Sequence, residues 1–540
     1  MSYSMRIGLI ICICLTGVIL LFSAGCEEQQ QAKAIDFYID GVMLKELGEN
    51  KMAIERLNSA VKLNEHLPSA YSLLGDLYQE TKDYAKSAAS YEKATELNPQ
   101  SFKDYFNLGR VYQILKRFAF AVKAYSRACE LRPDHLEAHI NAAKCYYEIR
   151  DYTNALAAAG RAEQLNPKVN EIQKMLGHIY ELQKNYDQAI RSYKRALEID
   201  SNDPGIMTSL AVAYLNTNYN EPAKELLTAV IQIQPGNGTA YRYLGYCYLR
   251  LDDPNKAKMS YTRAVEINDN DWEAHKELGG IYASQKNYEQ AAISYKRALE
   301  INRNNPGIMN SLAVAYINTN QYEPAKELLT AAIQIQPGNG TAYQYLGYCY
   351  LRLDDPNKAK ESYTRAVGIN DDDWEAHKGL GGIYESQKNY DQAILSYKRV
   401  LEIDHNNPAI MTSLAVAYLN TNQNEPAKEL LTSVIQIQPE NGAACQYLGY
   451  CYLRLDELDK AIESYSRAIE INDTDWEAQR GVGVAYMMKA IDKTIEDEQL
   501  KTELRAKAVS HWRLSLDIKP DQPHRERLLK FIQMYSKENK

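Results

Sequence analysis

The stretch PGIMTSLAVAYLNTNYNEPAKELLTAVIQIQPGN, residues 204–237, returns as PGIMNSLAVAYINTNQYEPAKELLTAAIQIQPGN at 306–339 and as PAIMTSLAVAYLNTNQNEPAKELLTSVIQIQPEN at 408–441. Each copy is 34 residues long and heads a block of 102 residues built from three such repeats. The blocks 204–305 and 306–407 differ at only 17 positions. A period of 34 predicts a helical solenoid, in which each repeat buries its apolar face only against its neighbours. An array of this kind is a long surface for holding something, with no evident place for chemistry.

Counting outward from Ala34, repeats start every 34 residues as far as Trp476, about fourteen in all. Each reads as two helices. The repeat at 102–135 shows the pattern: Tyr105, Leu108-Gly109, Tyr112, then Ala121, Tyr125, Ala128 and Pro133. The repeat at 272–305 has Trp272, Leu278-Gly279, Tyr282, Ala291, Tyr295 and Ala298 in the same places. Small residues there let helices approach closely, and the larger side chains fill the space between layers. Asp271, Asp373 and Asp475 precede Trp at helix starts and read as N-caps. Pro222, Pro324 and Pro426 fall in the first turn of second helices, where a missing N–H costs nothing.

This pattern resembles the tetratricopeptide repeat (TPR) over residues 34–522. The resemblance implies an all-α, right-handed superhelical solenoid of about fourteen helix-turn-helix repeats, with a first array at 34–203 and a second at 204–522. Departures are local. The first repeat has Phe37 and Leu57 at the aromatic positions, and the fourth has Ala159 in place of its second aromatic. The last repeat carries 13 extra residues, an insertion at about 489–507 that is charged and helix-prone, so an extended helix pair is expected. Arg525, Leu528, Leu529 and Ile532 mark a final amphipathic helix within 523–540, a cap with a polar outer face.

Composition narrows the function class. The 540 residues carry a formal charge of −8 with no basic stripe, which argues against a nucleic-acid partner. There are 42 Tyr against 7 Phe, suiting thin helical layers that are never far from water. Of nine cysteines, Cys247, Cys349 and Cys451 are one repeat position copied three times. With packed helices about 10 Å apart they are spaced by roughly 30 Å, beyond the reach of a disulfide. Cys129, Cys145 and Cys445 show no metal-ligand spacing, and buried thiols are expected throughout. His275 and His377 repeat without a second ligand, and no phosphate-binding loop, dinucleotide turn or nucleophile elbow is present. The acidic turn Asp371-Asp372-Asp373 lacks the Gly and Glu of a calcium loop and reads as a solvated cap. No enzyme, cofactor or metal site is expected.

The N-terminus reads as an export signal. Arg6 precedes the apolar run Ile7 to Phe22, followed by Ser23-Ala24-Gly25 and Cys26. Ala24-Gly25-Cys26 resembles the bacterial lipobox, which implies acylation of Cys26, although Ser23 stands where that motif usually has Leu. Cleavage after Gly25 and an uncleaved anchor over 1–25 remain the alternatives, with 26–33 as a polar tether. Each outcome puts the repeats outside the cytoplasm, facing the periplasm or the cell exterior, and two of them attach the chain to a membrane.

In the TPR family, first helices line a concave groove, mainly through positions 2, 5, 9, 12 and 13 of each repeat. Carried onto this chain, that implies a recurring set: Asn216, Asn318 and Asn420; Tyr246 with Arg250, Tyr348 with Arg352, and Tyr450 with Arg454; then Lys276, Lys378 and Arg480 beside Glu273, Glu375 and Glu477. Tyrosine offers contact area at low entropy cost, and the guanidinium offers paired hydrogen bonds to carboxylates or carbonyls. The asparagines suit the backbone of an extended peptide. The same identities also follow from recent duplication alone. The Lys and Asn pair with which some family members clamp a C-terminal carboxylate is missing: the repeat at 102 has Phe106 and Arg110, that at 170 Lys174 and His178. The expected function is a membrane-anchored scaffold at the cell envelope, binding a protein or extended peptide. The resemblance implies a pilus, secretion or polysaccharide-export assembly as its setting, and the alternative is a structural spacer.

Overall fold

The structure, a computed structural model, describes residues 28–537. The signal segment, its apolar run and Cys26 lie outside the described residues. Among the described residues there are 29 helices and no strand, and each repeat is an antiparallel helix pair. No described helix is long and apolar enough to cross a membrane. Residues 28–33, expected as a tether, instead continue the first helix, which runs over 28–46. Their run of Glu, Gln, Ala and Lys contains only good helix formers and neither Gly nor Pro to stop it.

The repeat at 340–373 shows why the pattern folds this way. Its first helix, Gly340–Arg352, is 13 residues and its second, Pro356–Ile369, is 14. Asn339 caps the first by accepting from the Ala342 N–H at 3.1 Å, and Asp355 caps the second through Lys358 N–H at 3.1 Å. Between them Asp354 takes a left-handed conformation, φ 61°. The same turn position is left-handed in Lys82, Lys116, Arg150, Lys184, Asn218, Asp252, Lys286, Asn320, Lys388, Asn422 and Asp456, and in Gly48 of the first repeat. That single residue lets the last turn of one helix close and the next begin within three residues. The aspartates expected as caps behave so: Asp271, Asp373 and Asp475 accept from the N–H three residues on, at 3.0, 3.0 and 2.9 Å.

The core is a row of size-matched pairs between the two helices of each repeat. Where the first helix has Gly, the second supplies a ring: Gly75 with Tyr91, Gly109 with Tyr125, Gly177 with Tyr193, Gly347 with Tyr363, Gly381 with Tyr397 and Gly449 with Tyr465. Where it has Ala, the second supplies Leu from the same cluster: Ala211 with Leu227, Ala313 with Leu329, Ala415 with Leu431. The first repeat pairs Gly41 with Leu57, and the fourth shrinks both partners, Ala143 and Ala159. The insertion lengthens the last pair to Trp476–Ala490 and Glu498–Ile518, 15 and 21 residues, joined by a short turn. Trp512 packs against Gly483, and the final helix, Arg525–Lys537, closes over it with Leu528 and Ile532. Leu529 stays exposed on its outer face.

The chain falls into two compact units, one ending at Asn268 and the other beginning at Asp269. The boundary of sequence similarity at 203/204 falls inside the first unit and is not the boundary between the two. Cys145, Cys247, Cys349, Cys445 and Cys451 are free and buried, and Cys129 is free and half-buried.

Candidate binding groove

In the second compact unit, first helices of consecutive repeats touch one another, Gly340–Arg352 with Trp374–Ser386, and Gly442–Arg454 with Trp476–Ala490. Beside each contact lies a half-open cavity. The first, about 680 Å³, is lined by Asn318, Gln344, Tyr345, Tyr348, Tyr363 and Lys378 among others. The second, about 430 Å³, is lined by the residues 102 positions on: Asn420, Gln446, Tyr447, Tyr450, Tyr465 and Arg480. Of the expected groove residues, six therefore come together in two equivalent triads.

Two interactions shape each cavity. Gln344 donates its amide to Glu375, and Gln446 donates to Glu477 at 2.8 Å, tying neighbouring first helices across the rim. Tyr363 is wedged between Gly347 and Gly379, and Tyr465 between Gly449 and Gly481. A Cβ on Gly379 would stand 2.6 Å from the Tyr363 ring, so the floor of the cavity requires glycine. Burial pushes the phenols of Tyr363 and Tyr465 well above the usual tyrosine range, so both stay protonated. Lys378 lies with Nζ 5.8 Å from the Trp374 ring, and Arg480 4.9 Å from that of Trp476.

The asparagines are half committed. Asn216, Asn318 and Asn420 each donate to the carbonyl four residues back, Val212, Val314 and Val416, at 2.9, 2.8 and 2.8 Å, while staying exposed. The arginines sit elsewhere than expected. Arg250 donates to Asn218 Oδ1 of the preceding repeat at 2.9 Å, with its guanidinium 5.3 Å from the Tyr246 ring. Arg454 repeats this with Asn422 and Tyr450. In the middle copy Tyr322 donates its hydroxyl to Asn320 at 2.6 Å, and Arg352 stacks on Tyr322 instead, 5.2 Å away. These guanidiniums brace consecutive repeats and do not line either cavity. Lys276 pairs with Glu277 at 2.8 Å. Sequence reasoning passed over position six, where Tyr345, Tyr447, Gly379 and Gly481 stand; the change from Glu277 to Gly379 between blocks was the available signal.

The acidic turn is held by protein groups. Arg399 pairs with Asp371 at 2.6 Å and Asp372 at 3.0 Å. Among the described residues no group of His, Cys, Asp and Glu is placed to hold a metal ion.

Family models for the tetratricopeptide repeat match residues 68–101, 102–135, 374–407, 408–441 and 443–475, at or within one residue of the repeat boundaries above. The chain belongs to the tetratricopeptide repeat family. Residues 168–379 of this TPR protein also match the model for the C-terminal domain of cilia and flagella-associated protein 70. Among solved structures, the TPR chain is similar to the anaphase-promoting-complex hetero-tetramer Cut9-Hcn1, at 15% identity over 86% of this chain and 96% of that one, TM-score 0.35. It is similar to YrrB, described as a TPR protein with an unusual peptide-binding site, at 26% identity over 34% of this chain and 95% of that one, TM-score 0.30. It is also similar to pilF of Pseudomonas aeruginosa, at 16% identity over 39% and 97%, TM-score 0.36. No curated protein matches the TPR chain.

Proposed function

We propose that this chain is a membrane-anchored scaffold at the cell envelope, holding a protein or extended peptide on its first-helix face. The observation that carries this reading is the pair of cavities at Tyr348 and Tyr450. Polar and apolar side chains converge there on space that the protein does not fill for itself. The order Arg6, Ile7 to Phe22, Ala24-Gly25-Cys26 supports export and attachment through Cys26. Photocrosslinking in cells from a probe replacing Tyr348, with Lys326 on a second helix as control, tests the groove. One discrete adduct from position 348 alone is expected, and equal or diffuse adducts at both positions reject it. Cys26→Ser tests the anchor: an acylated chain leaves the membrane fraction, whereas an uncleaved segment keeps it there.

A second reading, a spacer whose repeat number matters more than its surface, draws on the Arg250–Asn218 and Arg454–Asn422 braces. Those spend recurring groove residues on joining repeats. Deleting residues 306–407 separates the two: a spacer loses reach in proportion, and a scaffold in fixed register loses function outright.

A further inference from the structure

The three copies of the groove set differ in how their cation is answered. In the first block Lys276 pairs with Glu277 beside it, 2.8 Å away. The later blocks have glycine at that position, Gly379 and Gly481. The other glutamate that could answer the cation stands one helical turn back, and it is engaged: Glu375 accepts from Gln344, and Glu477 from Gln446. Among the described residues neither Lys378 nor Arg480 has a carboxylate within 4.0 Å. The substitution that removes the carboxylate also stands at the cavity wall. Two sites therefore set a cation with no carboxylate partner, Lys378 or Arg480, beside a hollow with partly apolar walls, while Glu375 or Glu477 on the same lining is held by its glutamine and Arg480 also donates to the Pro523 carbonyl at 3.5 Å. Tyr348, Leu351 and Ile383 form walls of one, and Tyr450, Leu453 and Val484 of the other.

We infer that these two cavities work as a pair, each taking an apolar side chain flanked by a carboxylate, both supplied by one extended partner chain. This rests on the groove reading above and adds the chemistry and spacing of the partner. The carboxylate meets Lys378 or Arg480 at the rim while the apolar group displaces water from the tyrosine-lined hollow. The sites are three repeats apart, roughly 30 Å with about 10 Å per packed layer. An extended chain covers that in about nine residues at ~3.3 Å each. Two weak sites joined at matched spacing bind about 10² to 10⁴ times more tightly than either alone.

The test uses the full chain and a fluorescein-labelled synthetic peptide with two Glu-Phe-Glu motifs, joined by six Pro residues, a stiff spacer at about 3.1 Å per residue, so that the phenylalanines are nine apart. Fluorescence anisotropy should show it binding at least about 10²-fold tighter than the single-motif peptide. A two-residue linker should reduce it to single-motif affinity, and so should Lys378→Met at an exposed position; Arg480→Met should do the same, with an unchanged melting temperature showing that the loss of its Pro523 contact is not the cause. The inference is overturned if the two-motif peptide gains nothing over one motif, if a Lys-Phe-Lys version binds as well, or if no peptide binds. A discrete adduct from position 348 alongside a failed peptide series leaves the groove reading standing and removes the paired acidic sites. Loss of both removes the groove reading too.

Discussion

The ring of Tyr363 lies where a side chain on Gly379 would have to go: its Cε2 and Cζ are each 2.6 Å from the position of a Cβ there. The same ring presses on Gly347 from the other side, so it has nowhere to retreat. Adding one methyl, Gly379→Ala, should cost about 1–3 kcal/mol by overpacking. Three residues on, Gly382 has nothing within 4 Å of its would-be Cβ. There Gly382→Ala should stabilise the helix by about 0.5–1 kcal/mol. Urea midpoints of the two variants should move in opposite directions, and movement in the same direction would refute the wedge.

The arginine braces make a prediction about coupling. A double-mutant cycle on Arg250 and Asn218, each changed to Ala, should return an interaction of about 0.5–1.5 kcal/mol. The equivalent cycle on Arg352 and Asn320 should return close to none, because Tyr322 holds Asn320. In a Tyr322→Asn background, which restores the residue type of the flanking blocks, the coupling should appear. Equal coupling in all backgrounds would show that the tyrosine does not compete.

Thiol reactivity should single out one residue within 28–537. Burial pushes Cys145, Cys247, Cys349 and Cys451 up to about 12 and also raises Cys445, where Arg467 opposes it; all five are buried, whereas Cys129, raised to about 11, is only half-buried and so the accessible one. Under native conditions maleimide labelling followed by peptide mapping should find Cys129 modified first. Early modification of Cys349 would mean that its repeat opens locally.

The same thiols set an alkaline limit. In the unfolded chain a cysteine ionises near 8.5, and in the fold these four do so near 12, so the unfolded state releases protons first. Their contribution is fully present below about pH 8.5 and is lost as pH rises toward 12. The raised phenols of Tyr363, Tyr397 and Tyr465 act with the same sign at higher pH. Melting temperature should be flat across neutral pH and fall from about pH 9. Replacing the four cysteines by Ala should flatten the first part of that fall.

Much of this protein is determined by the sequence alone, since its repeats are short and their signals local. The 34-residue period, the N-capping Asp271, Asp373 and Asp475 and the first-turn prolines each act within a few residues, so helix pairs and their joints can be read directly. Six of the residues expected at first-helix positions, Asn318, Tyr348, Lys378, Asn420, Tyr450 and Arg480, line the two cavities, because those positions recur at fixed offsets. Only the tertiary structure decided what those positions do. Arg250 and Arg454 reach back to turns 32 residues earlier, and Arg352 does not, because one substitution at Tyr322 redirects it. The cavities are lined by Tyr363 and Tyr465, held between glycines on successive repeats, and Gln344 and Gln446 hold the glutamates on the same linings. Those outcomes depend on which of several side chains wins a shared partner about one repeat away along the chain, and a periodic pattern carries no record of that competition.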